Sequence, residues 1–166
     1  MTVYFAELNS NNVVIRVIVG NPDSVSYPMD PAGEQWCSEN IPNDPGIDLV
    51  NGVYPGVSWK QTFDDNVTRG NFAAKNYTYD PVNNVFISPQ PFSSWVLDGS
   101  YKWQPPVGFP TVDDLGNNLP RGAFFPDSLS IGWSEPDLTW IGTRKVGEVV
   151  VTKLWNSNNS TWNIKE

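Results

Sequence analysis

The sequence contains no histidine, a single cysteine and few charged residues. Without histidine, a Ser/His/Asp triad and a histidine-rich zinc site are excluded, because both need an imidazole. One cysteine cannot form a disulfide within the chain, so packing must stabilise the fold. Charged residues make up 17% of the chain, against about 25% in an average domain. We therefore expect a surface rich in Asn, Ser, Thr and Gln.

Basic residues are scarcer than acidic ones, with 10 Lys and Arg against 18 Asp and Glu, which gives a formal net charge of −8. This charge repels phosphate backbones and anionic lipids, so we expect neither a nucleic-acid partner nor a membrane partner. A membrane span needs about 20 apolar residues in a row, and no such run occurs. The first residues also lack the pattern of a secretory signal.

Glycine, proline and aromatic residues are plentiful. The 13 Gly and 15 Pro interrupt the chain too often for long helices, which excludes a helical bundle. The 8 Trp, 6 Tyr and 8 Phe are available for packing. A length of 166 residues suits one domain, or one domain with an insertion.

The N-terminal part alternates apolar and polar residues in the manner of β-strands. The runs Val3–Leu8 and Val13–Val19 flank an Asn/Ser cluster, which predicts a β-hairpin. The run Val57–Phe63 predicts a further strand.

A short helix is predicted from Asp30 to Glu39, because Asp30 can cap it and Pro31 needs no amide hydrogen in the first turn. Trp36 and Cys37 are expected to face the core. Cys37 has only Glu34 and Glu39 nearby, which raise a thiol pKa, so a buried structural cysteine is predicted rather than a nucleophile.

A weak repeat begins at Tyr79. Each copy has an aromatic residue, a turn-starting Asp, Asn or Glu, several polar residues and a closing aromatic residue. The copies are Tyr79, Asp80 and Phe86; Trp95, Asp98 and Trp103; Trp133, Glu135 and Trp140; and Trp155, Asn156 and Trp162. Residues seven or eight apart across a short turn can face each other on antiparallel strands, so each copy predicts a hairpin closed by an aromatic pair.

The segments between the repeats are less regular. Prolines bar Ser88–Phe92 and Gln104–Pro110 from central strands. Thr111–Ser134 is predicted to be a long loop, and Val146–Leu154 the last clear strand.

Together these patterns predict an all-β protein, in which the N-terminal hairpin and the aromatic hairpins form a small sandwich or irregular barrel with long Pro/Gly-rich loops. Residues 1–110 form the predicted β-rich core domain. Residues 111–166 form an inserted loop and a C-terminal hairpin region that packs on the same domain.

Two acidic doublets, Asp64 with Asp65 and Asp113 with Asp114, are candidates for glycosidase carboxylates or calcium ligands. Neither has the ligand spacing of a calcium loop, and both lie beside Asn or Gly. We therefore interpret them as solvated turn residues. No catalytic residue, metal site or cofactor is predicted.

Several sequence strings resemble a family of small virion-associated proteins of tailed phages, especially cyanophages and other marine phages. These strings are KNYTYD at 75–80, VFISPQPF at 85–92, SWVLD at 94–98 and WQPPVGFPT at 103–111. The opening YFAELNSNNVVIRVIV and the strand VSWKQT are similar to the family as well. The stretch Val112–Lys153 is an insertion relative to that pattern, which leaves the position on the particle open.

The resemblance implies a non-enzymatic structural accessory protein of the virion, assembled in the host cytoplasm. It would serve as capsid decoration or cement, or as a neck, tail or baseplate component. Its partners would be other phage structural proteins, such as a major capsid, neck or tail protein, with many copies per particle.

Extended Pro-rich arms and edge strands commonly hold such proteins to a neighbour. The residues predicted to form this virion interface are Phe92, Phe109, Phe124, Phe125, Trp155 and Trp162. A different class of function stays open, namely a glycan-binding host-adhesion module with a solvent-facing row of rings that could include Trp133 and Trp140.

Overall fold

The computed structural model describes residues 2–20, 31–43, 47–48, 52–53, 56–119 and 129–165. These residues form a single short helix, α1 (Pro31–Asn40), and many short strands. The strands are β1 (Val3–Asn9), β2 (Val14–Gly20), β3 (Ile47–Asp48), β4 (Gly52–Val53), β5 (Gly56–Thr62), β6 (Thr78–Asp80), β7 (Val85–Ile87), β8 (Val96–Leu97), β9 (Trp103–Gln104), β10 (Leu129–Ser134), β11 (Thr139–Val146), β12 (Val149–Asn156) and β13 (Thr161–Ile164). The predicted all-β class is confirmed.

The strands are distributed over several small sheets. One has three strands in the order β2-β1-β5, and another has four in the order β10-β11-β12-β13. The pairs β3-β4, β6-β7 and β8-β9 form two-stranded sheets. Within the described ranges no sheet closes into a barrel.

Two compact units divide the chain. Unit 1 comprises Met1–Gln90 and Leu97–Trp103, and unit 2 comprises Pro91–Val96 and Gln104–Glu166. The domain division predicted at residues 110 and 111 stays a prediction. Among the described residues, no helix has the length and apolar character required to cross a membrane.

Strand β1 is the centre of unit 1, and the hairpin that it forms with β2 confirms the predicted one. One face of β1 contributes to a cluster of Val3, Phe5, Cys37 and Trp59. The other face contributes to a cluster of Ala6, Leu8, Val14, Ala73, Tyr79 and Phe86. Because both faces are covered, every residue of β1 except the half-buried Tyr4 is buried.

Helix α1 confirms the predicted helix, although Asp30 lies outside the described residues. Cys37 is buried, but Trp36 is 43% exposed. The expectation that both face the core is therefore wrong for Trp36, because adjacent helical residues point about 100° apart. Burial, together with the nearby Glu34 carboxylate, raises the pKa of the Cys37 thiol to about 11, as expected for a structural cysteine.

Glu34 joins α1 to the sheet of unit 1. Its carboxylate accepts hydrogen bonds from Lys60 Nζ at 2.8 Å, Gln61 N at 2.9 Å and Arg69 Nη1 at 2.7 Å. Burial alone would raise the pKa of Glu34, but these hydrogen bonds outweigh burial and lower it. The helix is thereby fixed to β5 by charge-assisted hydrogen bonds.

The aromatic hairpins are confirmed for three of the four copies. Tyr79 lies opposite Phe86, Trp133 opposite Trp140, and Trp155 opposite Trp162. In the remaining copy β8 and β9 form the predicted hairpin, but the pairing of Trp95 with Trp103 is wrong, because β8 begins only at Val96.

Two predictions about unit 2 are also wrong. The predicted loop Thr111–Ser134 ends in strand β10, which pairs with β11. The predicted strand Val146–Leu154 is divided by a two-residue turn at Gly147 and Glu148. Gly147 has φ +63°, and a hairpin turn of this length favours glycine at such a position.

A buried ion pair in unit 1 limits what can replace Gly56. Glu7 on β1 is fully buried, and its carboxylate accepts a hydrogen bond from Arg16 Nε on β2 at 2.5 Å. A Cβ at Gly56 would lie 1.8 Å from Glu7 Oε1. Any side chain at Gly56 must therefore displace the Glu7 carboxylate.

Gly56→Ala is expected to lower the free energy of unfolding by about 2 to 3 kcal/mol. This is less than the roughly 3 to 5 kcal/mol for breaking a fully buried pair, because Arg16 is 34% exposed. Urea denaturation measures the loss. The matched control is Gly132→Ala, since a Cβ at Gly132 meets nothing within 4 Å. Equal stability of the two variants would contradict the prediction.

Candidate functional site

Four tryptophans form a row across the four-stranded sheet of unit 2. Trp133 lies opposite Trp140 with ring centroids 5.5 Å apart, and Trp155 lies opposite Trp162 with centroids 5.4 Å apart. The register of β11 with β12 places Trp140 beside Trp155. All four rings therefore lie on one face of the sheet, and we call them the tryptophan row.

Pro-rich segments of unit 2 cover the tryptophan row. The apolar residues packed against it include Phe92, Trp95, Val107 and Val112. Trp140 Nε1 donates to Val107 O at 2.9 Å, and Trp162 Nε1 donates to Val112 O at 2.9 Å. The segments thus bury the rings and supply acceptors for their N–H groups.

Glu135 attaches the segment 91–96 to the tryptophan row. Its carboxylate accepts hydrogen bonds from Ser93 Oγ at 2.5 Å, from Ser94 N at 2.8 Å and Ser94 Oγ at 2.7 Å, and from Trp133 Nε1 at 2.8 Å. The hydrogen bonds from Ser93, Ser94 and Trp133 lower the pKa of Glu135 to about 2. This carboxylate therefore stays ionised at neutral and mildly acidic pH.

The predicted virion-interface residues have different positions. Phe92 packs against the tryptophan row. Trp155 and Trp162 are members of the row, and Trp155 is buried. Phe109 lies 4.8 Å from the Trp140 ring, measured between centroids, yet is 46% exposed. Phe124 and Phe125 lie outside the described residues. Their joint role in an interface stays a prediction.

The first acidic doublet is confirmed as part of an exposed turn. Asp64 and Asp65 are exposed, and Asp65 Oδ1 accepts hydrogen bonds from Val67 N and Thr68 N. Within the described residues, no group of three or more Cys, Asp or Glu side chains is placed to hold a metal ion.

The second doublet also begins a turn, but the prediction that it is solvated is wrong. The side chains of Asp113 and Asp114 are 3% and 5% exposed. Asp113 Oδ1 accepts hydrogen bonds from Leu115 N and Asn117 N. Asp114 Oδ1 accepts from Arg144 Nε at 2.7 Å, and Lys153 Nζ lies 3.6 Å from Asp114 Oδ2.

The pKa of each carboxyl in this buried pair is lowered. Burial alone would raise the pKa values of Asp113 and Asp114. Hydrogen bonds from Asn117 to Asp113, and from Arg144 to Asp114, outweigh burial. The doublet therefore has a structural role, joining the 113–117 turn to β11 and β12.

In the described part of unit 2, the hairpin of β11 and β12 extends beyond the paired lengths of β10 and β13. The register with β10 ends at Arg144, and the register with β13 ends at Lys153. Among the described residues, 145–150 therefore pair only across their own hairpin, and we call them the tip. Val146, Val149 and Val150 in the tip are 59%, 64% and 61% exposed.

The tip was not among the predicted interface residues. A signal for it exists in the sequence, because Gly147 and Glu148 separate Val146 from the β-branched run at 149–152 in the manner of a two-residue hairpin turn. Apolar residues on both sides of such a turn indicate an apolar hairpin end.

No family model, curated protein or solved structure gives a significant match to this chain. Its function is therefore inferred from the resemblance of its sequence strings, from residue chemistry and from geometry. Trp133 and Trp140 are 9% exposed each, so these two rings do not form the solvent-facing surface considered for a glycan-binding module.

Trp140→Ala is expected to lower the free energy of unfolding of the chain by about 3 to 5 kcal/mol, because it removes a large ring from the centre of the row. Urea denaturation followed by fluorescence measures the loss. The control is Trp36→Ala, where a partly exposed ring is removed and the expected loss is below about 1 kcal/mol. Similar losses in both variants would contradict a central role for the row.

Acid is expected to destabilise unit 2 through the buried Asp pair. Because the native pKa values are lowered, this stabilisation is complete above the ordinary Asp pKa of about 3.9 and is lost as the pH falls through the native pKa. Asp114→Asn should lower Tm at pH 7 and make Tm less dependent on pH between 7 and 3. Asp64→Asn, a change at an exposed turn, should keep the wild-type dependence. A wild-type slope in Asp114→Asn would argue against this assignment.

Proposed function

We propose that this chain is a non-enzymatic structural accessory protein of a tailed-phage particle. It binds other phage structural proteins, either as capsid decoration or cement or as a neck, tail or baseplate component. It is assembled into the virion in the host cytoplasm, in many copies. The resemblance of its sequence strings to virion-associated proteins supports this proposal, and the all-β fold is compatible with it.

The exposed valines of the tip are the observation that supports a protein-binding role. Val146 and Val149 form a cross-strand pair and so point to one side of the hairpin, whereas Val150 points to the other. An apolar end with valines on both sides fits a groove better than a flat surface. The exposed Lys145 and Glu148 are placed to form a polar rim around this contact. The partner surface is therefore an apolar groove with a polar edge.

The basic partners of the buried carboxylates support a binding function rather than a catalytic one. Glu34 is held by Lys60 and Arg69, and Asp114 by Arg144 and Lys153. Groups paired in this way have lowered pKa values and stay ionised, whereas a general acid at neutral pH needs a raised pKa.

The test is incorporation into particles of the phage that encodes the chain. In the double variant Val149→Asp with Val150→Asp, docking would bury two unpaired charges, so the copy number per particle should fall about tenfold or more. Quantitative mass spectrometry of purified particles measures the copy number. The control is Val82→Asp, which changes an 89% exposed valine of unit 1 and should leave incorporation unchanged.

Two outcomes would contradict the proposal. Absence of the wild-type protein from purified particles would exclude a virion role. Normal incorporation of the double variant, at an unchanged Tm, would exclude the tip as the binding surface.

A further inference from the structure

A cavity of about 490 Å³ lies in unit 1, where three turns meet. Its size is within the range of about 300 to 1,000 Å³ that is typical of small-molecule sites. The lining residues are Asn66, Val67, Thr68, Arg69, Gly70, Asn83, Asn84, Val85, Gly99, Ser100 and Tyr101.

Each of the three turns begins with an aspartate that bonds to its own turn. Asp65 accepts from Val67 N and Thr68 N, Asp80 from Val82 N and Asn83 N, and Asp98 from Ser100 N and Lys102 N. None of the three aspartates lines the cavity. The lining therefore contains no carboxylate, although the chain is acidic.

Two side chains hold the turns together. Asn71 Nδ2 donates to Phe86 O at 2.7 Å and to Tyr101 O at 3.0 Å. Lys102 Nζ donates to Gly70 O at 3.0 Å and to Asn71 Oδ1 at 2.5 Å. The walls are thus fixed before any ligand binds, which lowers the entropy cost of binding.

The backbone around the cavity is unusual. Asn66, Arg69, Asn84 and Tyr101 have φ of 54°, 57°, 57° and 59°, a region that favours glycine and is uncommon for bulky residues. They are half of the eight non-glycine residues with positive φ in the described part of the chain. Residues in such conformations cluster at ligand sites.

The lining has hydrogen-bonding groups without internal partners. Among the described residues, no partner is present for Asn66 Nδ2, Asn84 Nδ2, Ser100 Oγ or the Tyr101 hydroxyl. Arg69 Nε is buried and also has no partner there. The side chains of Asn66, Asn84 and Ser100 are exposed and that of Tyr101 is half-buried, so a ligand in the cavity can bond to them.

We infer that this cavity binds a neutral sugar residue. Sugar hydroxyls both donate and accept, so they match amide, hydroxyl and guanidinium groups at once. Val67, Val85 and the Tyr101 ring offer an apolar surface for the C–H face of the sugar. The Arg69 charge is already compensated by Glu34 at 2.7 Å, so an acidic sugar gains little.

This inference does not depend on the proposed virion role. It concerns unit 1, whereas the proposed protein contact lies at the tip in unit 2. It also differs from the glycan-binding alternative of the sequence, which relied on exposed aromatic rings.

The first experiment is an NMR titration of the full ¹⁵N-labelled chain with methyl glycosides of glucose, galactose and N-acetylglucosamine. The expected result is saturable shifts at Ser100, Tyr101 and their neighbours. The double variant Asn66→Asp with Asn84→Asp keeps the Oδ1 acceptors used by Phe72 N and Tyr79 but removes both Nδ2 donors. It should weaken binding about tenfold or more. The matched control Asn158→Asp, in the turn between β12 and β13, should bind as the wild type does.

A second pair of variants tests occlusion of the cavity. A Cβ at Gly99 or at Gly108 meets nothing within 4 Å, but only Gly99 lines the cavity. Gly99→Trp should abolish binding, and Gly108→Trp should preserve it.

Three results would overturn the inference. These are no shift with any of the three glycosides at millimolar concentration, binding that both Gly99→Trp and the double variant retain, and tighter binding of methyl glucuronide than of methyl glucoside. The last result would assign the cavity to an anion. Loss of particle incorporation in the tip variants is read out separately, so either proposal can fail alone.

Discussion

The tryptophan row is the interaction on which unit 2 depends. Its four rings cross all four strands, and a slip of one residue in any strand would move that ring to the opposite face. The row therefore sets the register of the sheet. It also selects its cover, because indole N–H groups removed from water need acceptors. Val107 and Val112 supply those acceptors through their carbonyl groups.

The same requirement explains why proline is common beside the row. A Pro-rich segment has few N–H groups to satisfy and many carbonyl groups to offer, so it suits the surface of buried indoles. In unit 2 the Pro-rich segments cover the tryptophan row of the same chain. Among the described residues of unit 2, these segments do not cover the tip, where Val146, Val149 and Val150 are more than half exposed.

Local patterns predicted the parts of the fold that depend on local contacts. A spacing of seven residues correctly paired Trp133 with Trp140 and Trp155 with Trp162, because cross-strand geometry near a turn is set by the turn itself. The ion pair of Asp114 with Arg144 spans 30 residues, so no local pattern indicates it. Charge and neighbouring Gly and Asn favoured a solvated turn instead. The cavity was missed for the same reason, since its turns are visible in the sequence but their meeting depends on Asn71 and Lys102.

A residue with positive φ lies near the end of hairpin turns in both units. Asn84, Leu138 and Ser160 have positive φ immediately before β7, β11 and β13, and Tyr101 has positive φ two residues before β9. Asn tolerates this conformation well, but Tyr does not. At Tyr101 the conformation is held by hydrogen bonds from Tyr101 N to Asp98 O, from Lys102 N to Asp98 Oδ1 and from Asn71 Nδ2 to Tyr101 O. Asn71 and Lys102 also fix the cavity walls. The Asn71 bond to Tyr101 O therefore both offsets the strain at Tyr101 and joins two walls of the candidate sugar site.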